Sequence, residues 1–289
     1  MGYVIERLTS AGDFLRRTES FRSKQPMETN VIGSVATSVA DGTRSYSACF
    51  WWLIRRDAEI VGVAIRTAPY RLVLSPMPLA ATGILAREVH AVDPDFWGVS
   101  GPEDVSREFI EHWCIQSGRD LNDFPLHMRD TIYVLQKHTP LSGVQGLARK
   151  AGVADIPLLA EWLQAFSSEV GVLSVPPSAA ELEARILTST FIIWEVANRP
   201  VALSGHAPLV QSPEGSIGRI GPVYTEPNER GNGYGAAVTS AVIAHLTAIG
   251  CSTIMLYADS DYAKSNRVYL GLGFRPVGAL VELGSQPQT

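Results

Sequence analysis

V-Y-T-E-P-N-E-R-G-N-G-Y-G, Val223 to Gly235, is the stretch on which the reading turns. A β-favouring run, Ser216 to Thr225, stops at Glu226-Pro227-Asn228, and a long helical pattern starts at Gly233. A glycine-rich loop therefore joins a strand to a helix. The first turn of a helix exposes backbone N–H groups without partners, and its dipole favours negative charge there. Gly231, Gly233 and Gly235 let that backbone approach an anion such as a pyrophosphate. Glycines also serve tight turns that bind nothing. Two other phosphate loops are excluded. A P-loop needs Lys and then Ser or Thr after its last glycine, where Ala236 and Ala237 stand. A dinucleotide fingerprint spaces its glycines differently, although Asp259 does end the next strand.

Outward from the loop the elements follow in order. Gly233 to Ile249 is a helix with Ala237, Val238, Ala241, Val242 and Ile249 on one face, ended by Gly250. Ser252 to Ala258 is a strand, Lys264 to Leu270 a short helix, and Val277 to Leu283 a last strand. Upstream, Gly146 to Ala151 reads as a strand. Ala154 to Val170 is a helix with Ile156, Leu159, Trp162, Leu163 and Phe166 on one side. Ser178 to Ser189 is a second helix, opened by a capping box of Ser178 and Glu181. Phe191 to Val196 and Val201 to Ala207 form a hairpin through Ala197-Asn198-Arg199-Pro200. The sum is an α+β domain over 146–289, mostly antiparallel with one local βαβ crossover. Lys137 to Gly146 breaks all periodicity and bounds a first domain over 1–140.

A second patterned stretch, Ser265-Asn266-Arg267-Val268-Tyr269-Leu270-Gly271-Leu272-Gly273-Phe274, lies downstream. With it, the chain resembles the GNAT superfamily of acyl-CoA N-acetyltransferases. Val223 to Gly235 is similar to the family's motif with the core R/Q-x-x-G-x-G/A, and Ser265 to Phe274 to its S-N-x-x-Y-x-x-L-G-F segment. The resemblance implies the GNAT fold: a mixed, mostly antiparallel twisted sheet flanked by helices. It implies acetyl-CoA as co-substrate, with the pyrophosphate on the amides of Arg230, Gly231, Asn232, Gly233, Tyr234, Gly235 and Ala236. Val223, Tyr224 and Thr225 would face the acetyl and pantetheine portions, Asn266 would add a cofactor contact, and Tyr269 would be the general acid. Pro222 beside Gly221 fits the splayed strands by which the family admits the cofactor, since proline gives a ladder no donor. The family often has an asparagine four residues before Asn266. Tyr262 stands there instead, so that contact is not expected.

Direct attack of an amine on a thioester needs a neutral amine, support for the oxyanion and a proton for the departing thiolate. Amides near Val223 to Thr225 suit the carbonyl, and a phenol with an ordinary pKa of about 10 suits the sulfur. For the base, Glu169, Glu195, His206 and water all stay open. No metal is expected, because the six histidines form no H-x-x-H or H-x-x-x-H pair. No Ser-His-Asp or nucleophilic cysteine pattern occurs either. One expectation is an N-acetyltransferase acting on a primary amine of a small molecule or peptide. The other is a non-catalytic acyl-CoA-binding regulatory or scaffold module. Tyr269 and Asn266 favour the first, because a pure binder needs no phenol beside the sulfur.

The first half carries its own hairpin, Phe50 to Ile54 and Ile60 to Ala64 around Arg56-Asp57, which overlays Phe191 to His206 at an offset of 141 residues. A strand at Arg71 to Leu74, a helix near Ala80 to His90, and elements at Asp104 to Gln116 and Asp130 to Gln136 follow. Order is shared with the second half and residues are not. That fits tandem GNAT-like domains; the alternative is two hairpins that merely each have an apolar face. Met77 to Gly83 has no pair of spaced glycines, so the first domain is expected to be degenerate or accessory, without a cofactor site. Its aromatic residues, Phe50, Trp51, Trp52, Phe96 and Trp97, read as core or as an acceptor wall.

Composition bounds the rest. The chain has 289 residues, too many for one ordinary domain, and 46% of them are apolar, enough for packed cores. A net charge of −5 argues against nucleic-acid or membrane-surface partners, with Arg16, Arg17, Arg22 and Lys24 the one candidate basic run. Cys49, Cys114 and Cys251 are odd in number and unpaired by spacing, as in a reducing cytoplasm. No apolar run reaches the roughly 18 residues of a membrane span. The expected partner is thus an amine acceptor, with a homodimer as the assembly considered.

Overall fold

The computed structural model describes residues 2–93, 96–171, 173, 175–188 and 190–284, and along them one order of elements occurs twice. The first pass runs β1 (Tyr3–Leu8), α1 (Ala11–Lys24), α2 (Asn30–Ala40), β2 (Ala48–Arg56), β3 (Glu59–Ala68), β4 (Leu72–Leu74), α3 (Thr82–Val92), β5 (Val99–Gly101), α4 (Glu103–Ser117) and β6 (Leu126–Leu135). The second runs β7 (Leu147–Lys150), α5 (Ile156–Glu169), α6 (Ala179–Leu187), β8 (Phe191–Val196), β9 (Arg199–His206), β10 (Val210–Ser212), β11 (Gly215–Thr225), α7 (Tyr234–Ala248), β12 (Thr253–Asp259), α8 (Ala263–Leu272) and β13 (Phe274–Leu283). Among the described residues, only β10 has no counterpart. Ser189, expected to end the second helix, lies outside the described residues, as do 285–289.

Each pass gives a sheet with helices on both faces, for a reason written in the strands. Side chains alternate across a sheet. In β2, Trp51 and Leu53 pack with Phe14, Phe21 and Ile32 of α1 and α2, whereas Trp52 and Ile54 pack with Leu85, Val89, Phe109 and Trp113 of α3 and α4. In β8, Phe191 and Ile193 meet Leu159, Trp162 and Leu182 of α5 and α6, while Ile192 meets Val238, Val242 and Leu246 of α7. All five first-half aromatics are therefore core or partly buried against it. The overlay at 141 residues is corrected here: Trp51 corresponds to Phe191, at 140, and both hairpins carry a bulge, after Ile54 and after Trp194. A slip of one residue would put every side chain on the wrong face.

By compactness the chain divides into Met1–Ile132 with Asp259–Asp261 and Gly278–Thr289, and Tyr133–Ala258 with Tyr262–Val277. In the first unit, strands follow the order β1-β2-β3-β4-β5, with β4 and β5 parallel. Beyond β5 comes the end of β13, Val281 facing Gly101 and Leu283 facing Val99. Arg71 fastens that end through Glu282 Oε2 at 2.7 Å. In the second unit the order is β12-β11-β9-β8-β7, with β11 and β12 parallel around α7. Tyr133 belongs to its core, and Gln136 and Thr139 donate to the carbonyls of Gly273 and Leu272. The last strand is longer than the expected Val277 to Leu283, and its end lies in the first unit rather than with residues 146–277. On α1, Arg22 is buried against Thr18, Arg17 pairs with Glu6 and Arg16 with Asp13.

Candidate active site

Strand β11 is paired on both sides only as far as Ile220. Its ladder with β12 runs from Ile217 facing Thr253 to Ile220 facing Leu256 and then stops. Strand β12 itself continues to Asp259. Toward β9, Ile220 faces His206, the register slips at Gly221 and Pro222, and pairing resumes from Val223 facing Ser204 to Thr225 facing Ala202. Pro222 has no N–H to continue a ladder. Val223, Tyr224 and Thr225 are thereby held by one neighbouring strand, and the side that faced β12 is left open.

The opening leads to the start of α7. Glu226 accepts from the Asn228 amide at 3.1 Å, and Asn232 Nδ2 donates to the Glu229 carbonyl at 3.1 Å, so the loop is tied within itself. Gly231 and Gly233 have φ of +90° and +83°, which other residues resist. A Cβ on Gly231 would meet nothing within 4 Å. One on Gly233 would touch Val144 at 3.4 Å. Gly233 is the N-cap and no side chain caps the helix, so the amides of Tyr234, Gly235 and Ala236 open α7 without a side-chain acceptor. Backbone donors at a helix start, reached through glycines, can form an anion cradle.

Arg230 turns back from this cradle. Its Nε donates to the Thr225 carbonyl at 3.0 Å, and Nη2 reaches Glu169 Oε1 and Oε2 at 2.6 and 2.8 Å. The Glu169 hydrogen bond holds the guanidinium above its ordinary pKa. Arg230 thus braces the loop against the end of α5.

Helix α8 carries Asn266 and Tyr269. Tyr269 is 8% exposed, between the rings of Tyr133 and Phe274, each with a centroid 6.2 Å away. Burial pushes its phenol up to about 12, which keeps it protonated. Gly273, which follows α8, has the Lys137 carbonyl where a Cβ would stand, so only glycine fits there. The Tyr133 hydroxyl donates to Asn266 Oδ1 at 3.3 Å. Nothing in the two sequence motifs points to Tyr133; an element break before Lys137 hid it in the first half.

Of the three side chains considered as bases, the two carboxylates are held in ion pairs and the histidine is paired through Nδ1 alone. Glu169 is the Arg230 partner. Glu195 accepts from Arg149 Nε at 2.7 Å, and the same guanidinium holds Asp155, whose carboxyl it lowers. His206 is buried, its Nδ1 2.8 Å from the Ala207 carbonyl and its ring stacked on His245; burial lowers its pKa. No group of three or more His, Cys, Asp or Glu among the described residues is arranged to hold a metal. No described helix is long and apolar enough to cross a membrane.

Residues 158–274 match the model of the acetyltransferase (GNAT) family. The chain is 41% identical over 85 residues to a mycothiol acetyltransferase of Parafrankia sp. strain EAN1pec, covering 28% of this chain and 26% of that protein. It thus spans about a quarter of the length of such curated relatives. An acetyltransferase of the GNAT family from Colwellia psychrerythraea superposes with a TM-score of 0.61 at 10% identity, over 97% of this chain and 98% of that one. A tandem GNAT protein from the clavulanic acid biosynthesis pathway superposes at 0.56 with 12% identity, over 100% and 99%. At such identities the likeness is one of fold, and it extends over both halves.

Proposed function

We propose that the chain, whose residues 158–274 match the acetyltransferase (GNAT) family model, transfers an acetyl group from acetyl-CoA to a primary amine of a small molecule or peptide. The observation that carries this is the end of the β11–β12 ladder at Ile220, just before Val223 to Thr225 and beside the uncapped start of α7. A slot between parallel strands that leads to an anion cradle fits an extended thioester with a pyrophosphate at its far end. The open space over Gly231 is consistent with that occupant.

In this reading the amine nitrogen bonds to the thioester carbon while backbone amides of the Val223–Thr225 segment take up the oxyanion charge. The tetrahedral species then collapses, the C–S bond breaks, and the Tyr269 hydroxyl gives its proton to the sulfur. Solvent reprotonates Tyr269 and accepts the proton released by the amine, since Glu169 and Glu195 are held in ion pairs. The test is a panel of primary amines with acetyl-CoA, read by release of free thiol. Amine-dependent thiol release supports transfer. Binding of acetyl-CoA with no release across small amines, aminosugars and peptide N-termini would instead favour a binding module.

A further inference from the structure

We propose that Tyr133, a residue of the first half of the sequence, is a positioning residue of this site and sets the sense in which the Asn266 carboxamide is presented. A carboxamide has an acceptor end and a donor end, and which end faces a ligand is decided by its other hydrogen bonds. The Tyr133 hydroxyl is a donor to Asn266 Oδ1 at 3.3 Å, so the oxygen end is turned toward Tyr133 and the nitrogen end away from it. Tyr133 is itself 6% exposed and packed in the core around α7 and α8, which fixes where its hydroxyl can be. Its ring also lies beside Tyr269, at 6.2 Å between centroids, one turn of α8 beyond Asn266. A single tyrosine therefore touches both α8 residues of the proposed site. This rests on the proposed function and on Asn266 being an acetyl-CoA contact, as the resemblance of Ser265 to Phe274 implies.

Tyr133→Phe keeps the ring and its packing and removes only the donor. The test is calorimetric titration of acetyl-CoA into the full chain as wild type, Tyr133→Phe, Asn266→Ala and the double variant. Tyr133→Phe should weaken binding by about three- to tenfold, the worth of one orienting hydrogen bond. In the Asn266→Ala background it should weaken binding no further, because its effect passes through that side chain. With an active amine, KM for acetyl-CoA should rise by the same factor with kcat little changed. If Asn266→Ala weakens binding and Tyr133→Phe does not, or if the two losses simply add, Tyr133 is packing and nothing more. If Asn266→Ala binds as wild type, the assignment of Asn266 fails first and this inference falls with it.

Discussion

Strands β4 and β5 and strands β11 and β12 occupy the same place in the two passes of the chain, and they end differently. In the first unit, β4 stops at Leu74, and Ser75 ties the chain back to β3: its amide donates to the Val63 carbonyl at 3.0 Å and its Oγ accepts from the Val63 amide at 2.8 Å. Leu74, Met77, Ala81 and Leu85 then fill the space with core. Gly101 of β5 lies so close that a Cβ there would stand 2.8 Å from the Leu74 carbonyl oxygen. A 3₁₀ turn, Leu79–Ala81, precedes α3, and its Ala81 amide is spent on Pro78. In the second unit a proline breaks the ladder and two positive-φ glycines lie in the loop; α3 and α7 both start without a side-chain cap, but before α3 the 3₁₀ turn takes up the Ala81 and Thr82 amides. The same order of elements makes a packed core in one place and a slot in the other, decided by the few residues between strand and helix. Fold and site are separable properties.

That contrast breaks most sharply at Gly233. Gly233→Asp puts a side chain on a residue with φ of +83°, facing Val144, and a negative charge beside the proposed pyrophosphate. Acetyl-CoA should raise the melting temperature of the wild type by mass action and leave that of the variant unmoved. Calorimetry on the wild type should count one acetyl-CoA per chain. A second equivalent site would mean that the filled region around Leu74 opens, and the comparison would fail.

The next effect belongs to Tyr269. Tyr269→Phe should lower kcat by about 10²–10⁴-fold with little change in acetyl-CoA affinity, the usual worth of a general acid. Turnover within about threefold of wild type would remove it from the mechanism. Its pH behaviour sharpens the test. The folded-state pKa, about 12, lies above the ordinary value of about 10 for a free tyrosine. The acid form therefore persists, and no falling limb of kcat from this group should appear below about pH 10. The same shift stabilises the fold fully below the unfolded value, and that contribution is lost as pH rises through the folded one. Tyr269→Phe should flatten this alkaline loss in a pH series of denaturant melts.

The smallest effect is expected at Glu169, whose pair with Arg230 is nearly half exposed. Glu169→Gln should change stability by no more than about 1 kcal/mol, as exposed pairs do. Turnover should stay within about threefold. A loss of a hundredfold or more would make Glu169 the base and return the amine's proton to a side chain.

The sequence marks some of these features and leaves others unmarked. The break at Pro222, the loop, α7, the α8 motif and the Ser178 capping box all appear where the residues place them, because each depends on neighbours a few positions away. The helices α1 and α2 and the strands β1, β5 and β10 were not legible. Strands β5 and β10 are three residues each, and α1 buries only a few apolar positions among charged ones. At the site, Val223 to Thr225 and the glycines could be singled out, whereas the engagement of Glu169 and Glu195 could not.

By itself, the sequence determined that a strand must break at Gly221-Pro222, that a helix must begin at an uncapped glycine loop, and that two apolar-faced strand sets must be covered by helices. These follow from backbone sterics, missing donors and side-chain periodicity, which act over short stretches. Only the tertiary structure decided which partners meet: Arg230 with Glu169 across 61 residues, Tyr133 with Asn266 across 133, and Arg71 with Glu282 across 211. It also decided that the first slot is filled and that each unit is completed by a segment from the other half of the chain. Such pairings depend on how the chain returns through space, and no local pattern of residues encodes them.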